Sequence, residues 1–186
     1  MIRAFIAVEI DQTVIQRITD ITRELKPKIP DIRWTSPASW HLTLKFLGAI
    51  DEAQIDSIGQ ALERKLSLFP RCTINAKGLG VFPDASRPRI LWVGIEAKPL
   101  QALAESVEGA LAPFGFEKEK RAFTPHLTIG RWREGKRTSQ ELEEVLENCK
   151  ARDFGRSQVE EVKLFQSVLK PAGAEYRPLR SVQLNA

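Results

Sequence analysis

With 186 residues, 42% of them hydrophobic and 28% charged, the chain suits one compact domain or two small lobes sharing a core. No apolar run is long enough to span a membrane, and the first residues lack the basic start, apolar stretch and small-residue cleavage site of a secretory signal; a cytoplasmic protein is expected. The two cysteines, Cys72 and Cys149, and the two histidines, His41 and His126, fall at no metal-ligand spacing, which points to reduced structural thiols and argues against a dedicated zinc site.

Taken in order, residues 2–10 alternate with period two and predict a strand. Asp11 is the expected cap of a helix over 12–26, whose Val14, Ile15, Ile18, Ile21 and Leu25 share one face. Pro27, Pro30 and Pro37 punctuate a loop holding Arg33 and Trp34. A strand over 40–47 ends at Gly48, and Asp51 caps a second helix over about 52–66 striped by Ile55, Ile58, Leu62 and Leu66. Strands follow over 72–82, interrupted by Gly78 and Gly80, and over 90–96. Pro99 suits the first turn of a third helix ending near Ala112. Another strand covers 123–133, and Thr138 with Glu141 predicts a capping box for a short acidic helix to Asn148. Residues 153–184 predict two or three strands, broken at Lys170-Pro171-Ala172-Gly173.

Laid side by side, about 1–88 and 89–186 form an approximate repeat of strand, helix, strand, helix, strand. Ala7-Val8-Glu9 aligns with Gly94-Ile95-Glu96, and each is followed by a helix and a histidine-bearing strand. The predicted fold is α+β: two pseudo-twofold-related lobes within a single domain, each a mainly antiparallel sheet with helices packed outside, and a cleft between them.

The only two histidines open matching stretches, His41-Leu42-Thr43-Leu44 and His126-Leu127-Thr128-Ile129. Alternation in a strand places His41 with Thr43, and His126 with Thr128, on polar faces opposite the apolar residues. Pseudo-twofold symmetry then turns both polar faces toward the cleft. Two imidazoles can divide the work of displacement at phosphorus near neutral pH, one taking a proton from the nucleophile and one protonating the leaving oxygen. Threonine hydroxyls and an arginine can hold the non-bridging oxygens. The blander reading, structural histidines and ordinary strand threonines, stays open at this level.

Charge supports the chemistry. Lys118, Lys120, Arg121, Arg131, Arg133, Lys136 and Arg137 face only Glu119 and Glu134, so this window carries +5 and the rest of the chain −1. Positive potential around His126 suits an anionic phosphate ester, or else a solvated basic loop. Trp34, Trp92, Trp132 and Phe82 are candidates to stack a base or to be buried, and Lys45 and Arg133 to meet an RNA backbone or to be solvated.

The two His-x-Thr-x motifs resemble those of the two-histidine phosphoesterase superfamily. The surrounding Trp40-His-Leu-Thr-Leu-Lys-Phe-Leu-Gly48, Thr124-Pro-His-Leu-Thr-Ile-Gly-Arg131 and the 164–179 stretch are similar to bacterial and archaeal RNA 2′,3′-cyclic phosphodiesterases, also called 2′-5′ RNA ligases. The resemblance implies hydrolysis of RNA 2′,3′-cyclic phosphate ends to 2′-phosphomonoesters. It makes His41 the general acid, His126 the general base, and Thr43, Thr128 and Arg131 phosphate ligands, with no metal or other cofactor. The expected partners are RNA with cyclic phosphate termini or small cyclic nucleotides, with no membrane, and the chain is expected to be a monomer. Ligation at the same site, a small cyclic nucleotide phosphodiesterase and a non-catalytic RNA-binding module are the alternatives. Simple parity puts Arg131 on the face opposite His126, so a bulge near Gly130 or the end of the strand must redirect it. The equivalent position in the first motif is Phe46, which makes the half-sites chemically unequal.

Overall fold

A computed structural model describes residues 1–133, 139–170 and 173–186. Thr138 of the expected capping box, Glu134, Lys136 and Arg137 of the basic window, and Pro171-Ala172 of the expected break lie outside the described residues. The strands are β1 (Ile2–Val8), β2 (Arg33–Trp34), β3 (Leu42–Ile50), β4 (Cys72–Phe82), β5 (Ile90–Glu96), β6 (His126–Arg131), β7 (Asp153–Val159), β8 (Glu161–Lys170) and β9 (Gly173–Gln183). The helices are α1 (Gln12–Leu25), α2 (Ile55–Leu66), α3 (Leu100–Leu111) and α4 (Gln140–Cys149).

Every strand pairing is antiparallel, in a four-stranded sheet of order β3-β1-β8-β9 and a five-stranded sheet of order β2-β6-β5-β4-β7. Helices α2 and α3 pack together against the first sheet, through β9 and β3. Helices α1 and α4 cover the second, through β7 and β4. The α+β architecture of two antiparallel lobes with outer helices is the one expected. The sheets nevertheless do not follow the halves of the sequence. β4, from the first half, lies between β5 and β7, while β8 and β9 return from the second half to complete the sheet of β1 and β3. Helix α1 likewise crosses to the sheet of the second half.

Period-two and helical patterning explain these elements. The α1 stripe of Val14, Ile15, Ile18, Ile21 and Leu25 is buried, each aliphatic side chain contributing about 1.5–3 kcal/mol when fully removed from water. The stripe packs into one core that also takes Ile58, Leu62 and Leu66 of α2 and Leu103 and Val107 of α3. Cys72 and Cys149 are buried free thiols in that core. Among the described residues, no helix is long and apolar enough to cross a membrane.

Three local expectations change. Asp11 does not cap α1 with its side chain: its N–H donates to Ser157 Oγ at 2.8 Å, and its carboxylate accepts from the Gln158 N–H at 3.1 Å, tying the helix start to β7. Ser139 caps α4, its hydroxyl accepting from the Leu142 N–H at 3.2 Å. Gly48 does not end its strand, which runs on to Ile50 with Gly48 at φ +72°. Asp51 does form a capping box with Gln54, over a short 3-10 turn that leads into α2.

Candidate active site

Strand register sharpens the repeat. Val8 pairs with Leu42 and Ala7 with Thr43; Val93 pairs with Leu127 and Trp92 with Thr128. Val8 and Val93, and likewise Ala7 and Trp92, are therefore the equivalent pairs, two residues away from the sequence alignment of Glu9 with Glu96. In this register each histidine stands the same number of residues after its equivalent valine.

The same irregularity follows each motif. In β3 the pairing jumps from Thr43 to Lys45, leaving Leu44 unpaired; in β6 it jumps from Thr128 to Gly130, leaving Ile129 unpaired. An extra residue reverses the alternation of everything beyond it. Lys45 and Gly130 consequently point into the core, and Phe46 and Arg131 turn to the face that carries the histidines. A Cβ on Gly130 would lie 2.3 Å from Cδ1 of the buried Ile32, so this inward position needs glycine. Lys45 is buried, donating to Glu108 Oε1 at 2.9 Å and to the Glu117 carbonyl at 2.7 Å. It is neither a backbone contact for RNA nor solvated, the two roles expected of it.

The motif strands adjoin one another. β3 and β6 approach within 8 Å between Cα atoms, and hydrogen bonds join the segments around them. The Trp40 indole Nε1–H donates to Thr35 Oγ1 at 2.8 Å, and the Thr35 hydroxyl donates to the carbonyl of Thr128 at 3.0 Å. The Thr35 N–H also donates to the Ile129 carbonyl at 3.0 Å, extending the β2–β6 pairing. Thr35 thus ties the residue before His41 to the backbone of the second motif. Sequence reasoning passed over it because a lone threonine in a proline-rich loop carries no pattern.

Each imidazole sits in an aromatic seat. His41 stacks on Phe5 at 4.7 Å between ring centroids, meets Tyr176 edge-on at 4.8 Å, and lies 6.2 Å from Phe165. The small, fully buried Ala7 shares this cluster. His126 meets Phe82 edge-on at 5.0 Å and Trp92 at 6.4 Å. Phe165 pairs with Phe5, and Phe82 with Ile90 at the equivalent register, so the two seats are built from equivalent strands. Trp92 lies across Gly80, where a Cβ would come within 2.2 Å of its ring. Phe82 and Trp92 are therefore engaged beside His126, while Trp34 and Trp132 pack against the core.

Burial sets the protonation of both rings. Loss of hydration pushes His41 down to about 4, against the opposing pull of the Ser39 backbone. Burial also lowers His126; the Thr124 carbonyl opposes the shift, and the positive charge of Arg131 adds to it. His126 Nδ1 lies 2.7 Å from the Thr124 carbonyl. A carbonyl only accepts, so Nδ1 carries the hydrogen, and in the neutral ring Nε2 keeps its lone pair as a base. Both histidines use the backbone two residues upstream, a further mark of the repeat. Arg33, exposed, pairs across the strands with Arg131, so two arginines share this face.

A family model described as LigT like Phosphoesterase matches the chain twice, over residues 8–92 and 93–176. The RNA 2′,3′-cyclic phosphodiesterase of Archaeoglobus fulgidus is 33% identical over 179 residues, covering 96% of this chain and 98% of its own. The protein of that name from Thermotoga maritima is 33% identical over 184 residues, covering 97% and 95%. Among crystal structures, a Thermus thermophilus protein matches with a TM-score of 0.82 at 25% identity, covering 98% of this chain and 97% of its own. The E. coli LigT complexed with 3′-AMP shares the fold, with a TM-score of 0.78 at 22% identity over 98% of each chain.

Proposed function

We infer that this chain, which belongs to the LigT-like phosphoesterase family, hydrolyses RNA 2′,3′-cyclic phosphate ends to 2′-phosphomonoesters. The observation that carries the reading is the equivalence of the two motifs: one histidine, one threonine and one bulge each, on adjoining strands joined through Thr35. Residues 1–186 act as one phosphoesterase domain, since each sheet takes strands from both halves. We place this activity in a cytoplasmic monomer.

In the reaction His126 Nε2 takes a proton from water as its oxygen forms a bond to phosphorus. The bond from phosphorus to the ribose 3′ oxygen breaks, and His41 delivers a proton to that oxygen. The Thr43 and Thr128 hydroxyls donate to the non-bridging oxygens, and Arg131, turned to this face by its bulge, offsets their charge. The side chains supply the acid, the base and the charge stabilisation, so the scheme uses no metal. His41 is neutral in the free site, and the phosphate supplies the negative charge that its apolar seat lacks, raising its proton affinity once substrate is bound. Neutral His126, its Nδ1–H held by Thr124, is already set as the base.

The test is substitution of each histidine. His41→Ala and His126→Ala each lower kcat on a cyclic-phosphate oligonucleotide by about 10²–10⁴-fold, with circular dichroism unchanged. A variant that keeps the wild-type rate removes its histidine from the scheme.

A further inference from the structure

Among the directly opposed residues of the two sheets, Arg33 and Arg131 are the one pair of like charge in the described residues. Like charges directly opposite one another destabilise a strand pair. Both arginines are exposed, and among the described residues no carboxylate pairs with either. An anion held between them would offset the cost. The strand that carries Arg33 is fixed to the second motif, because Thr35, two residues on, donates to the carbonyls of Thr128 and Ile129. The Arg33 guanidinium itself reaches the other sheet. Its Nη2 lies 3.9 Å from the point that a Cβ on Gly173 would occupy, at the start of β9. Three residues further along β9, Tyr176 meets His41 edge-on. Arg33 therefore stands between the half-site of His126 and that of His41.

One of these two charges already has a task, since Arg131 offsets the cyclic phosphate in the proposed reaction. A free cyclic nucleotide carries a single negative charge and leaves the second arginine without one. At the end of an RNA chain the next anion is the phosphodiester on the 5′ oxygen of the same ribose, one sugar away from the cyclic phosphate. Opposed residues of antiparallel strands have Cα atoms about 5 Å apart, so two long side chains rooted there can serve two phosphates separated by one ribose. We propose that Arg33 binds this phosphodiester, so that the site selects the end of an RNA chain over a free cyclic nucleotide. The proposal rests on the phosphodiesterase reading and names which cyclic phosphates the site prefers. A guanidinium on a backbone phosphate reads no base, so the selection is for a chain and not for a sequence.

The experiment compares the dinucleotide adenylyl-adenosine ending in 2′,3′-cyclic phosphate with the same compound carrying a neutral methylphosphonate between its nucleosides. Both have the same reacting ring and the same bases; only the charge offered to Arg33 differs. Wild type shows a KM lower by about tenfold or more for the charged linkage, the range of one hydrogen bond to a charged group. The difference shrinks as salt is added. In Arg33→Gln the two KM values converge, whereas Arg33→Lys, which keeps the charge without the planar fork, retains part of the difference. A difference that survives in Arg33→Gln, or that is absent from wild type, overturns the proposal. Absence of turnover of either compound by the wild type overturns the phosphodiesterase reading itself, and the two failures are distinguishable.

Discussion

His41 occupies an environment that disfavours its charge. Phe5, Phe165 and Tyr176 replace most of the water around the ring and move its titration down to about 4. Between that value and the unfolded value of 6.5, the unfolded chain binds the extra proton. Stability from this group is therefore complete above about pH 6.5 and is lost as pH falls toward 4. Between pH 7 and pH 5 the wild type should lose about 2 kcal/mol more than His41→Gln, as read by urea unfolding at both pH values. Equal losses would mean that the imidazole is well hydrated. The acid role proposed for His41 shares this origin, because an imidazole without water around it responds strongly to the charge of a bound phosphate.

At the scale of elements, the two bulges and the Thr35 bridge define the site. Thr35 is half-buried and serves two partners at once, the Trp40 indole and the Thr128 carbonyl. Thr35→Val leaves both unpaired. The expected cost is about 1–3 kcal/mol of stability, together with a fall in kcat that Thr35→Ser restores, since only the hydroxyl is needed. A valine variant with wild-type kcat would show that the bridge does not hold the motifs in place. Strand patterns were legible because alternation is local: β4 and β5 fall over the residues expected. The bulges were not, since a skipped residue looks the same in sequence as a regular strand. The parity conflict at Arg131, next to Gly130, was the only hint, and no such hint marked Lys45 or Phe46. Lys45 read as a surface cation, yet its bulge sends it to Glu108. Asp11 read as a helix cap because its real partners, Ser157 and Gln158, lie far along the chain.

Over the whole molecule, the halves of the sequence are interleaved. The first half contributes β4 to the sheet of the second and takes β8, beside β1, and β9, beyond it, to complete its own. Residues 1–88 produced alone would leave β1 and β4 with open edges and α1 without the β7 surface it covers. Such a fragment should aggregate, or give the amide spectrum of an unfolded chain in solution NMR. A dispersed, folded spectrum would contradict the interdependence of the lobes. The pseudo-twofold relation was visible in the paired His-Leu-Thr motifs, but the exchange of strands was not, because sequence order records connection and not pairing.

In the proposed reaction two histidines on adjoining strands open a cyclic phosphate at its 3′ oxygen without a metal ion. The most direct measurement incubates the protein with an oligonucleotide ending in 2′,3′-cyclic phosphate, in excess EDTA, and identifies the terminal phosphate by phosphorus NMR. A 2′-phosphomonoester should form at the same rate with and without the chelator. A 3′-phosphomonoester, or activity that disappears with EDTA, would rule out this two-histidine chemistry.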